Sequence, residues 1–218
     1  WLQWLPDSKR VLYTTGGLQR YDYTDGLWLL SLGSEQPVQL VAAQPEHDTY
    51  LVYSVSADGS RVAVIVNYWD SQHCCEVASS ALYLVDLETS DEPRLMESAS
   101  GNANTIEADW SPTGHELLFQ RRMRRMLGGL VDTASGPLML LGNDSRSYTL
   151  WEGNNEPGTR WLDPRRILVG LNGGFEMSGT DGRVLASHVG TGARVSTEAG
   201  AMSVVASPDA RWLAFLDW

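Results

Sequence analysis

The chain is poor in the residues that usually carry chemistry. Its 218 residues include two cysteines, four histidines and three phenylalanines. The cysteines, Cys74 and Cys75, are neighbours. A bond between adjacent residues closes a strained ring and staples nothing together. Zinc sites draw on four spaced ligands, and only His73 stands nearby, so the pair reads as incidental thiols and no metal is assigned. His47, His73, His115 and His188 lie in unrelated contexts and form no H-E-x-x-H. There is no G-x-S-x-G nucleophile elbow. Gly173-Gly174 falls in an expected loop rather than in a phosphate cradle. These absences leave no catalytic residue to name and no cofactor to expect.

Excess positive charge is missing too. The net charge is −11 and the pI near 4.7. Neither a nucleic-acid backbone nor an anionic membrane suits such a surface as main partner. No apolar run approaches the roughly 20 residues of a membrane-spanning helix. The first residues lack the basic start and apolar core of a signal peptide. Hydrophobic residues at 43% and charged residues at 20% describe a folded protein, not a disordered one.

What is present is one phrase, written five times. It reads WLPDSKRVLY from Trp4, VSADGSRVAV from Val55, WSPTGHELLF from Trp110, WLDPRRILV from Trp161 and ASPDARWLAF from Ala206. Each copy is a short apolar stretch, a turn and an apolar strand. Starts 45 to 55 residues apart mark a repeat architecture. The turns have a mechanism: Pro presets φ near −65°, and Asp, Asn or Gly accepts the remaining geometry. Asp163-Pro164 inverts that order in a shorter loop, so the fourth turn should differ in type.

A second strand pair follows each of the first four copies, in Gly26–Val41, Ala81–Met96, Gly128–Leu141 and Arg183–Thr197. Four antiparallel strands of about 5 residues with their turns fill roughly 40 to 50 residues. Four-stranded units repeated radially are β-propeller blades. The expected fold is therefore all-β, a propeller of about four complete blades plus a half. The blades fall near 1–45, 46–100, 101–146 and 147–199, with a partial blade at 200–218. Trp4, Trp110 and Trp161 share one repeat position, which marks them as residues that pack blade on blade.

The phrase W-S-P-D-G, followed by L-x-x-x-D-x-x-T-G, resembles the WD-like repeat of TolB-type propellers. It is also similar to the propeller domains of prolyl oligopeptidase and dipeptidyl peptidase proteins. Trp110–Gly114 and Ala206–Asp209 carry the resemblance most closely, and it runs over nearly the whole chain. It implies a binding face at the ends of the blades and, weakly, an extracytoplasmic bacterial setting. It also implies a ring of six to eight blades. The expectation is then a segment of a larger propeller, or a last blade completed by self-association.

Two segments between second and third strands are the candidate binding surfaces. Asn67–Ser80 carries Tyr68, Trp69, Asp70 and His73, an amphipathic mix suited to contact. Arg121, Arg122, Arg124 and Arg125 form a cluster able to clamp a carboxylate, a phosphate or an acidic segment. Six residues in an acidic chain are too few for a nucleic-acid footprint. Trp69 and Trp151 are the candidates for stacking on a sugar. Glu46, Asp48, Glu107, Asp109, Glu152 and Glu156 precede or open first strands, without the spacing of a calcium loop. The function expected is a non-enzymatic scaffold that binds a protein or peptide. The alternatives are the gating propeller of a prolyl-oligopeptidase-like serine peptidase and a carbohydrate-binding or glycosidase propeller.

Overall fold

The computed structural model describes residues 2–16, 24–42, 48–69, 77–89, 92–100, 104–127, 130–142, 144–152, 159–171, 174–189, 205–206 and 213–214. Every regular element among them is a strand. Among the described residues no helix is long and apolar enough to cross a membrane.

The first sheet holds β1 (Leu2–Trp4), β2 (Arg10–Gly16), β3 (Thr24–Ser31) and β4 (Val38–Ala42) in that order. The second holds β5 (Asp48–Val55), β6 (Arg61–Trp69), β7 (Val77–Asp86) and β8 (Arg94–Ser100). The third holds β9 (Asn104–Trp110), β10 (Leu117–Leu127), β11 (Leu130–Leu141) and β12 (Ser147–Trp151). The fourth holds β13 (Arg160–Asp163), β14 (Arg166–Leu171), β15 (Gly174–Gly179) and β16 (Val184–Val189). A two-stranded sheet of β17 (Val205–Ala206) and β18 (Leu213–Ala214) follows. Four four-stranded blades and a pair are what the repeat required. The chain divides into two compact units, Trp1–Gly114 and His115–Trp218.

In the first unit, Leu5, Leu12, Leu27, Leu29 and Val41 of blade 1 meet Leu51, Val62, Val64, Val66 and Val85 of blade 2. Both faces of β6 are buried, since Ala63 and Ile65 on the opposite side are covered as well. That explains why the strands after the turns read as unbroken apolar runs. In the second unit, Leu118, Leu138 and Leu140 of blade 3 meet Trp161, Ile167 and Val169 of blade 4.

The turns of the repeated phrase are built alike and touch one another. The Ser8, Gly59 and Gly114 amides donate to the carbonyls of Leu5, Ser56 and Ser111. The Asp7 carboxylate accepts from the Lys9 and Arg10 amides at 2.8 and 3.0 Å. In blade 4, Asp163 pairs directly with Arg166, leaving the tighter loop Pro164-Arg165 that the inverted sequence demanded. Gly59 and Gly114 have φ of +72° and +77°. A Cβ on Gly59 would lie 2.8 Å from Pro6 Cδ in the preceding blade's turn. One on Gly114 would lie 2.6 Å from the Ala57 backbone nitrogen. Ser8 takes the same turn position with φ +54°.

The strand boundaries of blade 3 differ from the sequence expectation. Gly128–Leu141 reads as strand, turn, strand, yet Leu130–Leu141 is one strand and Ser147–Trp151 is the fourth. The Thr/Ser/Gly turn expected at 133–136 is not made; the ladder runs on, with a bulge at Gly136-Pro137 where the register shifts between Gln120 and Arg122. Proline is tolerated there because no ladder donor is needed. Gln120 Nε2 donates to the Gly136 carbonyl at 2.8 Å.

Trp110 and Trp161 are buried at 7% and 9% exposure, whereas Trp4 is 53% exposed. The tryptophan at this position packs backwards, onto the blade before its own. Trp110 donates from Nε1 to the Ser54 carbonyl of blade 2 at 2.9 Å, and Trp161 lies in the cluster with blade 3. Trp4 belongs to the first described blade.

Gly114→Ala should lower stability by about 2–4 kcal/mol, from left-handed strain plus a backbone clash. Gly33→Ala, at φ +87° with nothing within 4 Å of its Cβ, should cost only about 1 kcal/mol. Equal losses in thermal denaturation would sink the close-approach account. Ser8→Gly should instead raise the melting temperature, by up to about 1 kcal/mol of stability, because it relieves the strained φ.

Candidate functional site

Tyr68 and Trp69 end β6, opposite Ser79 and Val77 of β7. They stand at the far end of that hairpin from the Arg61–Asp86 pair, where second and third strands connect. Tyr68 is half-buried and packs on the core face formed by Val62, Val64 and Val66. Burial pushes its pKa up to about 12, helped by Tyr83, which it engages by hydrogen bond and charge. Its neighbour Asn67 is buried on the other face and accepts a 2.9 Å hydrogen bond from the Ser80 hydroxyl. Two residues of the expected contact segment thus serve the blade itself. Asp70, His73 and the cysteine pair lie outside the described residues.

The arginine cluster is not an insertion. Arg121, Arg122, Arg124 and Arg125 all lie in β10, with Arg122 opposite Ser135, Arg124 opposite Thr133 and Arg125 opposite Asp132. Arg121 is exposed. Arg122 is 6% exposed, shares the β10 face of Leu118 and Gln120, and is held by interactions within the protein. Trp151 ends β12 and packs against the cluster of Leu118, Leu138, Leu140 and Trp161. Its indole Nε1 is buried and has no hydrogen-bond partner among the described residues, and the same holds for Thr159 Oγ1 and Glu176 Oε2. Of the candidate side chains described, Arg121 alone is fully presented to solvent; Tyr68, Arg122 and Trp151 are wholly or partly absorbed by packing. An open groove of about 690 Å³ lies elsewhere, at the turn end of blade 4 between Asp163–Arg166 and Gly179–Asp181.

The sequence reading missed a second set of arginines, the residue that opens the second strand. Arg10 donates from Nε to Asp7 at 2.6 Å and reaches into blade 2. There it meets the Leu87 carbonyl at 3.3 Å, the Gly59 carbonyl at 3.4 Å and Glu88 at 3.0 Å. Arg61 repeats the reach, donating to the Gly114 carbonyl of blade 3's turn at 3.2 Å. Its guanidinium sits 5.1 Å from the centre of the Trp110 ring, a cation–π contact. The Lys9 amide, with Arg10, holds the Asp7 carboxyl below the usual carboxylate range. At Asp163, burial acts upward, but the Arg165 amide and the Arg166 guanidinium outweigh it. The signal was in the phrase: Arg10, Arg61 and Arg166 recur where blade 3 has Glu116.

No protein-family model matches the chain, and no curated protein matches it. Solved structures do. A prolyl endopeptidase is similar at 13% identity and TM-score 0.55, over 86% of this chain and 27% of that one. Oligopeptidase B from Trypanosoma brucei is similar at 12% identity and TM-score 0.53, over 84% of this chain and 25% of that one. An oligogalacturonate lyase, solved in complex with manganese, is similar at 13% identity and TM-score 0.51, over 86% and 52%. The fold is a β-propeller of four-stranded antiparallel blades, similar to the propellers of prolyl oligopeptidases. The chain spans about a quarter of the peptidases' length and about half of the lyase's.

The Tyr68 pKa carries a sign. An unfolded tyrosine ionises near pH 10, and the folded one holds its proton to about 12. Folding therefore retains protons that the unfolded chain loses, and stability falls as pH rises through that window. Tyr68→Phe should flatten the decline of melting temperature between pH 10 and 12. An unchanged slope would show that the phenol is not buried as described.

Proposed function

We propose that the chain is a non-enzymatic propeller module that binds a protein or peptide through the blade ends bearing its longest hairpins. The observation that carries this reading is the β10–β11 hairpin. Its strands run to 11 and 12 residues, against a common strand length of about 5 or 6, and β10 carries four arginines in an acidic chain. A strand that outruns its blade presents backbone and side chains beyond the core. Arginine there suits bidentate recognition of carboxylates. The partner is accordingly an acidic peptide segment.

The gating propeller of a prolyl-oligopeptidase-like serine peptidase is the second reading. The likeness to prolyl endopeptidases over most of this chain and about a quarter of theirs favours it. A G-x-S-x-G domain elsewhere in the full-length gene would decide for it. The carbohydrate or glycosidase reading rests on Trp69 and Trp151. Because Trp151 packs against the core, Trp69→Ala is the cleaner test, with loss of sugar-array binding as the supporting result.

Arg121→Glu should weaken capture of a glutamate-rich peptide about tenfold and leave the melting temperature unchanged. Arg122→Glu should instead destabilise the fold, because it buries an opposed charge among groups arranged around a cation. Unchanged capture by the Arg121 variant would remove the cluster from the interface.

A further inference from the structure

Cross-strand partners share a face of their sheet, so the ladders show what a seam brings together. In blade 4, Glu176 stands opposite Val169, and Val169 packs with Leu118, Leu138 and Leu140 of blade 3. Glu176 therefore faces blade 3. In blade 3, Trp151 stands opposite Leu138 and packs on the same cluster, so it faces blade 4. Thr159 lies two residues before Trp161, another member of that cluster. Trp151 closes β12 and Thr159 precedes β13, so both belong to the hairpin end of the seam.

Each of the three carries a stranded atom. Trp151 Nε1, Thr159 Oγ1 and Glu176 Oε2 are shielded from solvent and have no hydrogen-bond partner among the described residues. Native proteins rarely strand one buried polar group, and three along one seam call for a common partner. The repeat shows that the fold does not demand this arrangement. In the other blades the position of Glu176 is held by Trp28, Tyr83 and Met139, opposite Tyr13, Val64 and Phe119. None of those three is a carboxylic acid.

The stranded groups differ in what they can do. An indole N–H only donates, a carboxylate oxygen only accepts, and a hydroxyl does either. A carboxylate partner would answer the indole and repel Glu176. An ammonium partner would answer Glu176 and leave the indole unmatched. An uncharged amide answers both, since it holds an acceptor and a donor side by side. Arg122, the cation described on this seam, is already engaged within the protein.

We propose that the seam between blades 3 and 4 binds an amide group. Its carbonyl accepts from Trp151 Nε1, its N–H donates to Glu176, and Thr159 is a further contact. The amide belongs to a small molecule or to an asparagine or glutamine side chain. The site is independent of the acidic-peptide reading, which rests on the solvent-facing Arg121.

The test follows the Trp151 indole N–H resonance by NMR in the 218-residue chain, assigned by its loss in Trp151→Phe. Propionamide should shift it saturably. Propionate, which has no N–H, should need at least about ten times the concentration for the same shift. Glu176→Met installs the residue type found at Met139 and should abolish the response. It should melt no lower than wild type, because it removes a stranded oxygen. Glu176→Gln keeps the shape and should weaken the response severalfold, since it loses a charge-assisted bond. Gly-Gln-Gly acting at lower concentration than propionamide would assign a protein side chain as the source; the reverse order would assign a small molecule. No response to propionamide would overturn the proposal, with ordered water then filling the seam. An equal response to propionate would overturn it too. So would a lower melting temperature for both Glu176 variants, because the carboxylate would then be satisfied within the fold.

Discussion

The described architecture depends on one junction, the seam where a blade meets the next. Three things happen there within a few ångströms. An aromatic ring reaches back, an arginine reaches forward, and a glycine turn lets two backbones come closer than any Cβ permits. Between blades 2 and 3, Trp110, Arg61 and Gly114 make this set complete. Between blades 1 and 2 the ring is replaced by Val55, and Arg10 gathers two carbonyls and Glu88 instead. Burial of the ring is worth most, since Trp→Ala in a core typically costs about 3–5 kcal/mol. The arginine's exposed ion pair adds less, but its bonds to turn carbonyls satisfy groups that the seam would otherwise strand.

Blade 3 departs from the pattern in an informative way. Glu116 stands where other copies have arginine, and burial raises its pKa, with His115 pulling the other way. No forward guanidinium is available from that position, and the meeting with blade 4 is apolar, through Leu118, Leu138, Leu140 and Trp161. Deeper along the same faces lie Arg122, Gln120, Trp151 and Glu176, so polar groups are concentrated at the hairpin end of this seam.

The turns and the period were readable because they are local: a Pro-Asp or Asp-Gly corner has the same geometry wherever it occurs. The exposure of Trp4 was not, because burial at that position is decided by a neighbour and not by the residue. The Thr/Ser/Gly stretch at 133–136 misled for a related reason. It is a turn signal in isolation and stays in the ladder because β10 runs straight past it. The arginines of Arg121–Arg125 read as an insertion because strands of ordinary length would have ended first. The clamp arginines were visible in three copies of the repeat, but nothing in a single copy says that the side chain leaves its own blade.

The backward tryptophan and forward arginine give the array a direction. A stack of such blades has two unlike ends, one offering an indole and the other a guanidinium. Each junction needs only its two neighbours, so the interaction is indifferent to how many blades have come before. Nothing at the seam counts. The size of a closed assembly must be written elsewhere, in the small angle by which each sheet is turned from the last, and substitutions that alter that angle would change blade number or copy number while leaving every seam intact.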